Sequence, residues 1–246
     1  MVTIVRMIRK SNRHKLLLVL WLLLWAAFAA VLWYPVADEY TRSGVIVLAA
    51  GLWAMPLAIW PRWPVRTGCV ALAVAAAALL FLPGREVDRQ QLRELYVQRL
   101  VAFDGTKYVW GGENEAGIDC SGLIRRAMVE AELIQGLRTV NPGLIRQGLA
   151  IWWNDCTARE LGQGHDGQTR QIATAELGAI NPQTLQPGDM AIINGGTHII
   201  AYVDGQTWIE ADPNRGKVMT FTLSDHYYKL TSAQGILVRW VQLSNQ

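Results

Sequence analysis

The sequence predicts an α+β domain, helices first and a small antiparallel sheet after them, preceded by about three transmembrane helices. Three observations lead there: long uncharged apolar runs confined to the first third of the chain, apolar stripes at helical spacing in the middle, and short β-branched runs at the end. Overall, 51% of the 246 residues are hydrophobic and only 17% charged, too apolar for one water-exposed domain of this size. Charge is distributed unevenly as well. Up to Pro83 there are 8 Lys+Arg against 2 Asp+Glu, and after it 15 against 18. The basic surplus therefore belongs to the apolar part, and the slightly acidic remainder lacks the basic stripe that nucleic-acid binding requires.

Residues 16–34 carry no charge over 19 positions, which as a helix reach about 28 Å, the thickness of a hydrocarbon core. Arg6, Arg9, Lys10, Arg13 and Lys15 precede them without an acidic residue, which favours a cytoplasmic N-terminus. A cleaved signal peptide would have a shorter core ending in small residues. Runs 44–60 and 67–82, joined by a linker containing Arg62 and Arg66, read as a helical hairpin, with Pro56 as a kink site. Gly44, Gly51 and the Ala-rich third run would permit close approach of a partner helix, with plain anchoring the simpler reading. Three spans put the chain after Pro83 outside the cytoplasm; two spans or a re-entrant hairpin leave it inside. The expected division is a membrane anchor over 1–83 and a second domain over 84–246.

In the second domain, Leu92, Leu95, Tyr96, Leu100 and Phe103 form one helical stripe over 86–103. A Gly-rich loop over 104–118 leads to a second helix that begins at Cys120, and Asn141 followed by Pro142 caps a third that ends near Trp153. Residues 154–185 are polar and weakly patterned; they read as loops lying over the site, with a short helix near 170–178. The runs MAII, HIIAYV, TWIEA, VMTFTL and GILVRWVQL, separated by NGG, DG, NRG and QG, read as strands and turns.

Cys120 is the candidate nucleophile. It follows a flexible loop, has polar neighbours, and opens a helix, where unpaired N–H groups favour a thiolate. A thiolate needs a proton acceptor, and of the four histidines His14 lies in the basic tail, His165 in a polar loop and His226 in a turn. His198 alone opens a strand that could aim its ring at Cys120. A third polar group must hold that ring, and the turn at Asp204 and Gly205 would fold the strand ending in Glu210 back beside His198, with Asp212 as the fallback. Cys156, His165 and Asp166 match no paired-ligand spacing for zinc, and Asp212, Asn214 and Gly216 lack the remaining ligands of a calcium loop. Trp152 and Trp153 pack in the core or line the cleft.

The pieces YVWGG, DCSG, LQPGDM and HIIAYV, in this order, resemble the signatures of NlpC-type cell-wall cysteine peptidases, a papain-like family, over residues of roughly 88–246. The resemblance implies hydrolysis of amide bonds in peptidoglycan peptide stems, next to D-glutamate and diaminopimelate. It assigns Cys120 as nucleophile, His198 as base, Glu210 as third residue and Tyr108 as an aid to the oxyanion site, with Asp119, Ser121 and Trp110 on the substrate side. Partners so implied are the peptide stems, the lipid bilayer and, through the helices, a membrane protein; no cofactor or metal is expected. Two departures stand out. The third residue of the family is more usually His or a neutral polar group, and a carboxylate there would raise the pKa of His198. Cys120 and His198 are also further apart than in compact members, so 134–185 contains additional sequence that would reshape specificity. A catalytically silent wall-binding or scaffold subunit and a Cys-dependent acyltransferase or amidase at the membrane are the alternative functions.

Overall fold

The computed structural model describes residues 2–224 and 230–244 and divides into two units, up to Phe81 and from Leu82 onward. The first is three helices, α1 (Val2–Trp33), α2 (Glu39–Ile59) and α3 (Trp63–Phe81). All three contain stretches long and apolar enough to cross a membrane, in α1 from Asn12 to Trp33. Leu16, Leu22, Val47 and Leu72 are exposed along them, and α3 buries none of its residues, the reverse of what water tolerates. α2 starts five residues before the apolar run because Asp38 caps it, accepting from the Thr41 amide at 2.8 Å. Gly44 and Gly51, expected to serve a partner helix, face Val31 and Leu24 of α1 in the same chain.

The second unit is the α+β domain. α4 (Arg89–Ala102) buries Leu92, Leu95, Tyr96 and Leu100, the stripe read from the sequence, and is capped by Asp88. A two-residue hairpin, β1 (Glu113–Asn114) and β2 (Gly117–Ile118), occupies the Gly-rich loop before α5 (Cys120–Arg138). α6 (Pro142–Trp153) has Asn141 as its cap and proline at its first turn, where a missing N–H costs nothing. A five-residue helix, α7 (Ala158–Gly162), follows within a capping box of Thr157 and Glu160.

The sheet is antiparallel and six-stranded, built from β3 (Thr169–Glu176), β4 (Met190–Ile193), β5 (His198–Asp204), β6 (Thr207–Asp212), β7 (Lys217–Thr222) and β8 (Gln234–Trp240) in the order β3-β8-β4-β5-β6-β7. Its side chains alternate between two clusters. Met190, Ile192, Ile199, Ala201 and Ile209 join the helices in the main core, whereas Ala191, Ile193, Ile200, Tyr202 and Trp208 form a second cluster. Burial of both faces is why MAII and HIIAYV are continuously apolar.

Residues 170–178 form no α-helix. They lie in β3 and the one-turn 3-10 helix after it. Six of the eight β3 residues are exposed, so no alternation marks this edge strand, and its pairing with β8 supplies the order instead. The stretch expected to lie over the site thus builds α7 and an edge strand separated from β5 by β8 and β4.

Candidate active site

Two elements that are distant in sequence meet at Cys120. The first is the N-terminus of α5, where Asp119 is the cap: its Oδ1 accepts from the Gly122 amide at 2.6 Å and the Ser121 hydroxyl at 3.1 Å, and its Oδ2 accepts from the Gly111 amide at 2.8 Å. One carboxylate thereby ties the loop carrying Trp110 to the turn carrying Cys120. The glycine of DCSG has a steric purpose, since a Cβ on Gly122 would lie 2.2 Å from the Gly112 carbonyl oxygen. Only glycine lets the hairpin sit this close to the helix.

The second element is the β5 start. Between β4 and β5 the chain turns through Asn194, Gly195 and Gly196, all with positive φ (53°, 68° and 96°), a reversal that the NGG sequence makes inexpensive. Arg159 of α7 packs against Gly196 from outside. β5 then pairs with β6, Tyr202 opposite Trp208, so the beginning of one strand lies beside the end of the other. His198 Nε2 is 2.6 Å from Glu210 Oε2, and Cys120 lies close enough to the imidazole to bear on its protonation. With Nε2 engaged by the carboxylate, Nδ1 is the ring nitrogen left for sulfur. Asp212, the fallback third residue, instead accepts from the Asn214 amide at 2.7 Å within the β6–β7 turn.

The electrostatics follow from burial and partners. Burial alone would disfavour the imidazolium of His198, but the polar interactions with Cys120 and Glu210 and their negative charges outweigh it and push the pKa up to about 9. The Glu210 carboxylate contributes to this rise through both its hydrogen bond and its charge. Burial, and after it the charges of Cys120, Asp119 and Asp212, raise the Tyr108 phenol, keeping it a neutral O–H donor. Tyr108 is held by its amide, which donates to the Gly216 carbonyl at 2.8 Å, and by a bridge to Ile118. Cys120 is 8% exposed and Trp110 80%, so sulfur lies recessed while the indole stands in solvent nearby in sequence.

The other sequence candidates fall elsewhere. Cys156 is buried in the main core and its thiol is pushed up to about 12, chiefly by desolvation, which makes it inert. Burial lowers the pKa of His165, which lies in a one-turn 3-10 helix. Among the described residues no group of three or more His, Cys, Asp or Glu could hold a metal ion. Trp152 packs against the core and Trp153 is exposed. His226 lies outside the described residues.

One supporting group was not legible. Arg125, buried one helical turn beyond Cys120, pairs with Glu113 of the hairpin at 2.6 Å and with Asp155 at 2.5 Å, and donates to the Ile151 and Asn154 carbonyls. It joins α5, the site hairpin and the end of α6. Its RR neighbourhood in the sequence gives no hint of burial, whereas the cap at Asp119 has a local signal, a polar residue directly before a helix.

Comparison with known proteins fits this arrangement. The model of the NlpC/P60 family matches residues 105–235, more than half of the chain, which takes in the hairpin, Cys120, His198 and Glu210. No curated protein matches. Similar solved structures include NlpC1 from Trichomonas vaginalis (19% identity, 63% of this chain and 46% of that one, TM-score 0.40) and the peptidoglycan hydrolase RipB from Mycobacterium tuberculosis (18%, 66% and 69%, TM-score 0.40). A third is the P60 domain of an antigen from M. avium subspecies paratuberculosis (20%, 62% and 97%, TM-score 0.38). The chain spans about half the length of the two Trichomonas proteins, NlpC1 and NlpC2, that it matches. With that family model spanning more than half of its length, the chain belongs to the NlpC/P60 family.

Proposed function

We propose that this chain is a membrane-anchored peptidoglycan endopeptidase, with residues 1–83 as a multi-pass anchor, the N-terminus in the cytoplasm and the domain over 84–246 facing the wall. It cleaves amide bonds in the peptide stems, near D-glutamate and diaminopimelate. The observation that carries this reading is the grouping of Cys120 at a helix start beside His198, whose ring is held by Glu210 at 2.6 Å, which puts a nucleophile, a proton carrier and an orienting carboxylate in order.

The chemistry then follows. His198 takes the thiol proton, and the sulfur attacks the scissile carbonyl carbon. The Cys120 amide and the Tyr108 hydroxyl donate to the oxygen as it becomes negative, each such donor lowering the barrier by roughly 3 kcal/mol. His198 passes its proton to the departing amine, the acyl-enzyme forms, and the freed imidazole then takes a proton from water for deacylation. Glu210 keeps one nitrogen aimed at sulfur throughout and stabilises the imidazolium. Asp119 and Ser121 shape the cleft floor, and Trp110 offers an apolar wall to the stem. The test is digestion of purified sacculi by the detergent-solubilised full chain, with products read by mass spectrometry. Hydrolysis adds water to stem fragments, and Cys120→Ala abolishes this without lowering the melting temperature. Cleavage retained by that variant would overturn the assignment.

A further inference from the structure

We propose that the corner between α5 and α6 is a lipid-docking surface that seats the catalytic domain on a bilayer containing anionic headgroups; this rests on the reading of residues 1–83 as a membrane anchor. The corner exposes residues 137–140, with Leu137 66% and Val140 50% accessible. The end of α5 is closed by the Asn141 amide donating to the Gly136 carbonyl at 2.7 Å, a helix stop that ordinarily places glycine in the left-handed residue. Here that residue is Val140, at φ 48°. A β-branched side chain in this conformation is strained, and this one also projects an apolar group outward. The helix-stop hydrogen bonds offset the first cost, but the second is left to the surroundings, since Val140 is 50% exposed. A covering apolar phase would compensate for the second.

Chain connectivity identifies the phase. Residues 82–85 are laced to the corner: the Arg85 amide donates to Asn141 Oδ1 and Asn141 Nδ2 to the Arg85 carbonyl, both at 3.0 Å, while the guanidinium of Arg85 donates to the Thr139 carbonyl at 3.2 Å and that of Arg146 to the Leu82 carbonyl at 2.7 Å. Gly84 and Gly143 pass so closely that a Cβ on Gly84 would lie 3.3 Å from the Gly143 Cα. Phe81 ends α3, so three residues separate that helix from Arg85, the laced segment's last member, no more than about 14 Å of extended chain over four steps. The corner is thereby kept within reach of the headgroup layer.

Charge agrees with this occupant. Arg85, Arg138 and Arg146 are exposed, and Glu86 is the only acid within 82–86 and 137–146. The chain after Pro83, this corner included, carries an acidic surplus of 18 Asp+Glu against 15 Lys+Arg, so an anionic surface would attract this corner in preference to the rest of the domain. Guanidiniums around protruding Leu and Val are the composition of an interfacial anchor. Docking has a consequence for catalysis. The corner ends the helix that Cys120 begins, and 19 helical residues separate the two by about 28 Å. A docked domain would hold its nucleophile at that fixed distance from its attachment point.

The test is photocrosslinking of the full chain in nanodiscs, with p-benzoylphenylalanine placed singly at Val140, at Leu137 as a second probe, at Leu22 in α1 as a membrane control, and at Ile172 on the exposed edge strand as a water control. In discs containing phosphatidylglycerol, lipid adducts are expected at 22 and at 140 or 137, with 172 at background, and Arg138→Gln should lower the corner signal about fivefold. Adducts at 22 but only background at both corner positions, or adducts at the corner to a second protein copy, would overturn docking and leave anchoring intact. Absence of adducts at 22 would overturn the anchor itself and docking with it. None of these readouts depends on catalysis.

Discussion

Two buried carboxylates in the same sheet have different fates. Asp189, directly before β4, is fully buried and gripped by Arg239 of β8, whose Nε and Nη2 donate to its two oxygens at 2.5 and 2.6 Å. Glu210, on β6, is 2% exposed and faces His198 through one short hydrogen bond. Desolvation acts against both, and each is compensated by a cation. A guanidinium does not release its proton, so it is no proton carrier, and the effect of the first pair is to join two strands. An imidazolium can, so the second pair couples burial to a proton that moves. The partner's ability to titrate, rather than burial or charge, separates the structural pair from the one proposed to react.

The sharpest way to break this contrast is at the structural end. Asp189→Ala leaves Arg239 desolvated without a counter-charge and beside Arg93, whose own pKa is lowered by burial and by Arg239. Loss of one member of a buried pair costs about 3–5 kcal/mol, so unfolding should occur at much lower denaturant concentration. Adding Arg239→Met should restore most of that loss, and activity per folded molecule should change little. A double variant as unstable as the single would mean that the aspartate supports β4 in another way.

Glu210→Gln probes the reactive end. With the amide, His198 loses a negative neighbour, and kcat should fall on the order of 10²-fold, about 2.7 kcal/mol of barrier. The sign with pH is fixed. The folded pKa of His198, about 9, lies above its ordinary 6.5, so the stability this group contributes is complete below about 6.5 and is lost as pH rises through 9. The alkaline limb of kcat/KM and the fall in melting temperature should both move to lower pH in the variant. A limb that stays in place would show that His198 does not sense Glu210.

How much of this was readable in advance depends on the range of the interactions. The start of α5 at Cys120, the caps Asn141 and Pro142, the stripe of α4 and the turn that returns Glu210 to His198 all arise from neighbours in sequence or a single hairpin, and all are where periodicity and turn chemistry put them. β3 was misread as a short helix because TRQIATAE is exposed on both faces, and only its hydrogen bonds to a strand some 60 residues later make it extended. Long-range ion pairs were likewise invisible. Arg125 with Asp155 and Asp189 with Arg239 join positions 30 and 50 apart, and nothing local distinguishes these charges from solvated ones. In the membrane-like unit, hydropathy located the helices but not their starts, which Asp38 and the short loop before Trp63 define.

A third carboxyl sharpens the rule with the smallest expected effect. Glu132, in the middle of α5, is wholly buried and neither of its oxygens has a hydrogen-bond partner, so it has neither the guanidinium of Asp189 nor the imidazole of Glu210. Desolvation raises its pKa well above the usual carboxyl range, and it is held as the neutral acid. An acid that binds its proton more tightly when folded stabilises the fold fully below its unfolded pKa, near 4.5, and less with each step upward in pH. Glu132→Gln keeps the shape and removes the titration. The variant should melt with the native chain at pH 4 and exceed it at pH 8, the gap opening by no more than about 1.4 kcal/mol per pH unit. Parallel melting curves across that range would mean that Glu132 is compensated in the folded state, and a buried carboxylate's fate would then not be readable from the partner it faces.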